Sequence, residues 1–96
     1  MNDRSDQRSA DRTTRERVIG LVRQVLGPPA ATRPLPIDAR LSELGVSSIK
    51  MVNLMLSLEV EFDLTIAQGE ISPENFASIE SVEALMSRLL DLRGLV

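Results

Sequence analysis

Three stretches of this 96-residue chain repeat apolar side chains at the spacing of one helix face, and prolines and glycines interrupt the chain between them. Val18, Leu21, Val22, Val25 and Leu26 recur at i, i+3, i+4, i+7 and i+8. Met51, Leu54, Met55, Leu58 and Phe62 repeat the pattern, and Val82, Leu85, Met86, Leu89 and Leu90 repeat it again. Such stripes bury only against one another, so the pattern dictates a small all-α bundle. The spacing predicts a first helix over 14–26, capped by Thr13 or Thr14 and stopped by Gly27-Pro28-Pro29. It predicts a second over 48–62 and a last over 81–93. Asp63 to Ile66 reads as extended, and Gln68-Gly69 as a break. Ser72-Pro73-Glu74-Asn75 reads as the start of a short helix of a turn or two, with Ser at the cap and Pro at the first helical position.

The connection over 27–40 contains four prolines and shows no period. A loop of that length in a small domain needs anchors, and Leu35, Ile37, Leu41 and Leu44 supply them. Asp38 to Leu44 can form a helical turn before Gly45. Residues 1–13 hold almost no apolar side chain and read as a flexible polar tail. The expected organisation is therefore a tail over 1–13 and one folded domain over 14–96.

What the chain lacks narrows its chemistry. It has no Cys and no His, which excludes thiolate nucleophiles, disulfides, zinc sites built on those residues, and the usual general base near neutral pH. No metal site is expected. Residues 1–40 carry eight arginines against five acids, whereas residues 41–96 carry three basic residues against nine acids. An acidic domain repels nucleic acid phosphates and suits protein partners instead. No apolar run approaches the ~18 residues that span a bilayer, and no apolar stretch of the signal-peptide kind occurs near the start. The expectation is a cytoplasmic monomer with no nucleic-acid or membrane partner.

The middle helix is the informative one, because its apolar residues occupy two arcs. Beside the core stripe runs a second, Ile49, Val52, Leu56 and Val60. A small bundle has little wall left to cover it, so Ile49, Val52 and Leu56 are expected to be partly exposed as a docking strip. The alternative is a central helix that is simply well buried. Ser48 heads the strip. A phosphoryl group there would meet free backbone N–H groups and the positive end of the helix dipole. On position alone, though, a serine before a helix reads as an N-cap.

The run Leu41-Ser42-Glu43-Leu44-Gly45-Val46-Ser47-Ser48-Ile49 resembles the modification motif of acyl and peptidyl carrier proteins. That family shows Leu-Gly, one variable residue, then Asp-Ser-Leu. Leu44, Gly45 and Ser48 match, Ile49 replaces Leu, and Ser47 stands where Asp is usual. Leu54, Leu58, Glu59, Glu61 and Phe62 are similar to the end of the family's second helix, and Pro73 to Phe76, Ile79 and Val82 to its third and fourth. The resemblance implies an acyl-carrier-protein-like bundle of three main helices plus one short one, with a long loop after the first.

It further implies a non-catalytic carrier bearing covalent 4'-phosphopantetheine, taken from coenzyme A, on Ser48. The implied cargo is acyl or aminoacyl. The implied partners are a phosphopantetheinyl transferase, an acyl- or aminoacyl-loading enzyme, and a downstream acyltransferase or synthase. Ser47, Ile49, Lys50, Val52, Asn53, Leu56 and Glu59 are the candidate docking residues. Met51, Met55, Leu58, Phe62 and Met86 are candidates to line an acyl chain. Acids are missing from the first two turns of the middle helix and appear only at Glu59, Glu61 and Asp63, so dedicated partners are expected rather than general fatty-acid enzymes. The competing reading is a helical interaction module without a prosthetic group, in which Ser48 only caps. A hydrolase using Ser48 with Lys50 is disfavoured, since side chains two positions apart on a helix diverge by ~200°.

Overall fold

A computed structural model describes residues 13–28 and 33–94. Among these residues four α-helices follow in order: α1 Thr14–Leu26, α2 Leu41–Leu44, α3 Ser48–Phe62 and α4 Ile79–Gly94, with a 3-10 turn at Gln68–Glu70. The expected polar tail lies outside the described residues apart from Thr13. That threonine accepts from the Glu16 amide, and the Glu16 carboxylate accepts from the Thr13 amide in return. This reciprocal box ties off two amides that α1 would otherwise leave open.

Helix α1 packs on both α3 and α4. Val18, Val22, Leu54, Leu58, Ile79, Val82, Leu85 and Met86 fill the centre and are almost wholly buried. Leu35 and Leu41 anchor the long connection, with Ile37 and Leu44 packed against the core margin. Gly45 ends α2 at φ 110°, and a Cβ there would meet Leu26 Cδ2 at 3.4 Å. The positive φ disfavours an L-residue there, while the contact itself is ordinary packing, and this turn delivers the chain to the head of α3.

Two expectations are corrected. The stretch from Ser72 to Ala77 forms turns rather than a short helix. Ser72 Oγ does accept from the Asn75 amide as a helix start requires, but Phe76 is then drawn into the core. The Ala77 carbonyl accepts from the Leu41 amide at 2.8 Å, beside an isolated antiparallel bridge between Arg40 and Ser78. The short helix of the bundle is thus α2. The last helix also begins earlier than the stripe indicated, at Ile79, with Ser78 Oγ accepting from the Ser81 amide.

The carboxyl end of α3 is held from two sides. Arg17 of α1 donates to the Glu61 carboxylate at 2.9 Å and to the Glu61 carbonyl at 2.7 Å, and its guanidinium lies 4.1 Å from the Phe62 ring centroid. Arg93 of α4 donates to the Phe62 carbonyl at 3.1 Å and to the Asp63 carbonyl. Two cations therefore meet carbonyls that a helix end leaves unpaired, at the negative pole of its dipole.

The crossing from α3 to α4 is pinned by Arg88, which donates to both oxygens of Glu70 at 2.9 and 3.1 Å. That hydrogen bond holds the Glu70 carboxyl below its ordinary pKa; desolvation opposes it, while the Arg88 charge and the Asn75 amide add to it. A carboxyl depressed in the folded state stabilises above the unfolded value of ~4.3, and the contribution is lost as pH falls through the folded pKa. Glu70→Gln removes this component. The melting-temperature gap between wild type and variant should therefore narrow from about pH 6 to about pH 3, as calorimetry would show. A gap constant across that range contradicts the assignment.

Candidate functional site

Ser47, not Ser48, caps α3. Ser47 Oγ accepts from the Lys50 amide at 3.3 Å, and the Met51 amide donates to the Ser47 carbonyl at 2.8 Å. The cap role expected for Ser48 is thus corrected: of two adjacent serines the first takes it, because only the residue before the helix has the extended backbone a cap needs. Ser48 becomes the first helical residue. It is exposed, and no bond among the described residues engages its hydroxyl. The amides of Ser48 and Ile49 meet no protein acceptor among the described residues.

This arrangement can accept a phosphodiester. Two open amides point from the positive end of a 15-residue helix, and no carboxylate lies in its first turn. Lys50, the third residue of α3, adds a half-buried cation within the first turn.

The two apolar arcs of α3 separate as their spacing implies. Ile49, Val52, Leu56 and Val60 are 75%, 55%, 56% and 83% exposed, while Leu54, Leu58 and Phe62 are buried. At ~100° per residue, Ser48 stands at the seam, about 40° from Val52 and about 60° from Met51. Asn53 is exposed beside the strip. The lower part of the strip borders a groove of about 340 Å³ between α1 and α3, lined by Leu21, Gln24, Leu56 and Val60 among others.

Glu59 lies on the same side of α3 as Val52 and is half-buried. Its carboxylate accepts from the Ile66 amide at 2.7 Å and so ties down the chain leaving α3. Glu61 is likewise engaged by Arg17. Sequence reasoning placed these acids low on the helix without finding the bonds they make. Of the candidate lining residues, Leu58, Phe62 and Met86 lie in the closed core and Met55 is half-buried.

Met51 alone of that set lines a second groove, of about 460 Å³, with Arg40, Ser42, Val46, Glu74 and Phe76. Of these, only Met51 was a candidate. The others meet because residues 40 and 78 pair across 38 positions, and no local pattern announces such a pairing.

The family described as "Phosphopantetheine attachment site" matches residues 16–89. The chain is 46% identical over 72 residues to aminoacyl carrier protein 1 of Bradyrhizobium diazoefficiens, covering 75% of this chain and 80% of the relative. It is 30% identical over 81 residues to the chloroplastic acyl carrier protein 1 of Hordeum vulgare, covering 84% of this chain and 52% of that one. Among solved structures, it resembles a chain in the Bradyrhizobium japonicum glycine:[carrier protein] ligase complexed with glycylated carrier protein. There the TM-score is 0.63 at 46% identity, over 74% of this chain and 96% of the other.

Proposed function

The chain belongs to the phosphopantetheine-attachment family, and on that premise we propose that it is a discrete aminoacyl carrier whose 4'-phosphopantetheine arm hangs from Ser48. The observation that carries this reading is the division of labour between two serines. Ser47 satisfies the helix, and Ser48 is left exposed with open amides around it. The chain is a substrate of partner enzymes and not itself a catalyst.

When attached, the arm supplies a thiol on a long tether, a functional group that a chain without cysteine cannot provide itself. Everything else falls to the chain's own residues. Ser48 Oγ is the point of attachment. The Ser48 and Ile49 amides and the α3 dipole stabilise the phosphodiester charge, with Lys50 as a nearby cation. Gly45 and the Ser47 cap hold the junction in place, so that a modifying enzyme meets a preformed loop-to-helix corner.

Aminoacyl cargo is favoured by the relatives named above, one of which appears glycylated and bound to a glycine:[carrier protein] ligase. By analogy, a ligase that activates a small amino acid loads this arm, and a transferase collects the product. A cytoplasmic location accords with a fold in which no helix among the described residues is long and apolar enough to cross a membrane.

Partner docking uses the strip Ile49, Val52 and Leu56 with Ser47, Lys50 and Asn53 at its rim. The acids of α3 contribute little, because Glu59 and Glu61 are engaged within the fold. An apolar contact with few unsatisfied charges responds weakly to salt. The loading enzyme's kcat/KM should change less than about threefold between low and high ionic strength. Val52→Asp should lower it about 30–100-fold, the size of losing one buried anchor. Steady-state loading assays check both. A steep salt dependence with little effect of Val52→Asp would show that charge elsewhere does the docking. A general fatty-acid ketosynthase, selected for acidic carriers, should accept the acyl form poorly.

A further inference from the structure

The groove of about 460 Å³ beside the head of α3 is distinct from the docking strip, which lies on the other side of Ser48. Its floor is apolar: Val46 and Phe76 are buried and Met51 is half-buried. Its polar lining comes from two segments far apart in sequence, Arg40 and Ser42 before and within α2, and Glu74 in the turn before α4. The Arg40–Ser78 bridge and the bond from the Leu41 amide to the Ala77 carbonyl clamp these segments together. The groove walls are therefore fixed by backbone pairing and do not depend on side-chain chance.

Two features indicate what such a groove would take. Arg40 and Glu74 are exposed, and neither forms an ion pair with any described residue. An opposed cation and carboxylate that line one groove without pairing leave both donor and acceptor capacity open. Met51 follows Ser48 at i+3, so the two are neighbours on the helix surface. An arm rooted on Ser48 therefore starts at the groove's edge.

We propose that this groove is a resting site for the loaded arm, in which the Glu74 carboxylate receives the ammonium of an aminoacyl cargo and Arg40 and Ser42 donate to carbonyl oxygens of the arm. The proposal rests on attachment at Ser48 and on aminoacyl cargo, as argued above. It adds a selection at the carrier itself: a small cargo with a positive amine is held, and a neutral acyl group of the same size is not. The methylenes of the arm lie on Val46, Met51 and Phe76. The docking strip stays free, so a resting arm does not block partner encounter.

The test compares two loaded forms of the full chain. A promiscuous transferase installs glycyl- or propionyl-phosphopantetheine from synthetic coenzyme A derivatives whose thioester sulfur is replaced by NH, which prevents hydrolysis. Intact mass and peptide fragmentation first verify attachment on Ser48. Absence of the arm from Ser48 overturns the carrier reading itself. With the arm in place, amide ¹H–¹⁵N spectra are expected to differ between the glycyl and propionyl forms at Met51, Glu74, Asn75 and Phe76. Nuclear Overhauser contacts should link the glycyl methylene to Met51 or Phe76. Glu74→Gln, at an exposed position with no bond to lose, should collapse the difference while leaving the fold and the loading intact. Superimposable spectra at these amides, or a difference that survives Glu74→Gln, overturn the groove proposal and leave attachment at Ser48 standing.

Discussion

Ser48→Ala is expected to abolish uptake of phosphopantetheine completely, while Ser47→Ala leaves uptake intact and weakens the fold. The two residues are adjacent and chemically identical, so the contrast isolates position. In Ser48→Ala the attacking oxygen is gone, and no neighbouring hydroxyl can replace it. Ser47 Oγ is committed to the Lys50 amide and sits on extended backbone before the helix. The alanine at 48 costs little stability, because the hydroxyl it removes is exposed and makes no bond among the described residues. Ser47→Ala reverses the pattern. It leaves the Lys50 amide without its cap, a loss of about 1 kcal/mol. For a domain of this size that lowers the melting temperature by roughly 4–8 °C. Incubation with coenzyme A and a broadly active transferase, read by intact mass, gives the first half of the result, and thermal denaturation gives the second. Equal loss of uptake in both variants would mean that the corner as a whole, and not one hydroxyl, governs modification.

Phe62→Ala should be the most damaging single substitution away from the attachment site. The ring is 2% exposed and closes the lower end of the core. Removing it forfeits its burial and leaves a cavity, together about 3–5 kcal/mol. The loss extends further, because the Arg17 guanidinium stacks on this ring while bonding Glu61. Without the ring, the cation that joins α1 to the end of α3 loses one of its supports. Small domains hold only about 5–15 kcal/mol in total, so the variant should be partly unfolded near physiological temperature. Arg17→Met keeps the aliphatic packing and discards the charge, and should cost about 0.5–2 kcal/mol. Urea titration separates the two. A Phe62→Ala midpoint no lower than that of Arg17→Met would contradict the central role given to the ring.

Much of this could be read in the residues. The bounds of α1 and α3 follow from a stripe with a clear stop at each end, and the exposed arc of α3 follows from counting how many helix faces a three-helix wall can cover. What escaped local reading depended on long-range pairing. Ser72-Pro73-Glu74-Asn75 has the chemistry of a helix start, and the Ser72 cap does form. Yet the burial of Phe76 and the pairing of Ala77 and Ser78 with the chain at 40–41 redirect it. The same pairing creates the groove beside Ser48, so it too was invisible. The adjacent serines were degenerate by composition, and only backbone conformation resolved which one caps. Glu59 and Glu61 looked like surface charges on the helix pattern. Their bonds to the Ile66 amide and to Arg17 come from segments that fold back onto α3.

Carrier function stands on one covalent attachment. Intact mass of the protein purified from the cell that makes it, followed by fragmentation of the peptide spanning 41–62, tests it most directly. The expected result is a population heavier by one phosphopantetheine, with or without a small aminoacyl group, and with the added mass located on Ser48. A protein that is wholly unmodified in those cells, or modified on Ser47 instead, would contradict it.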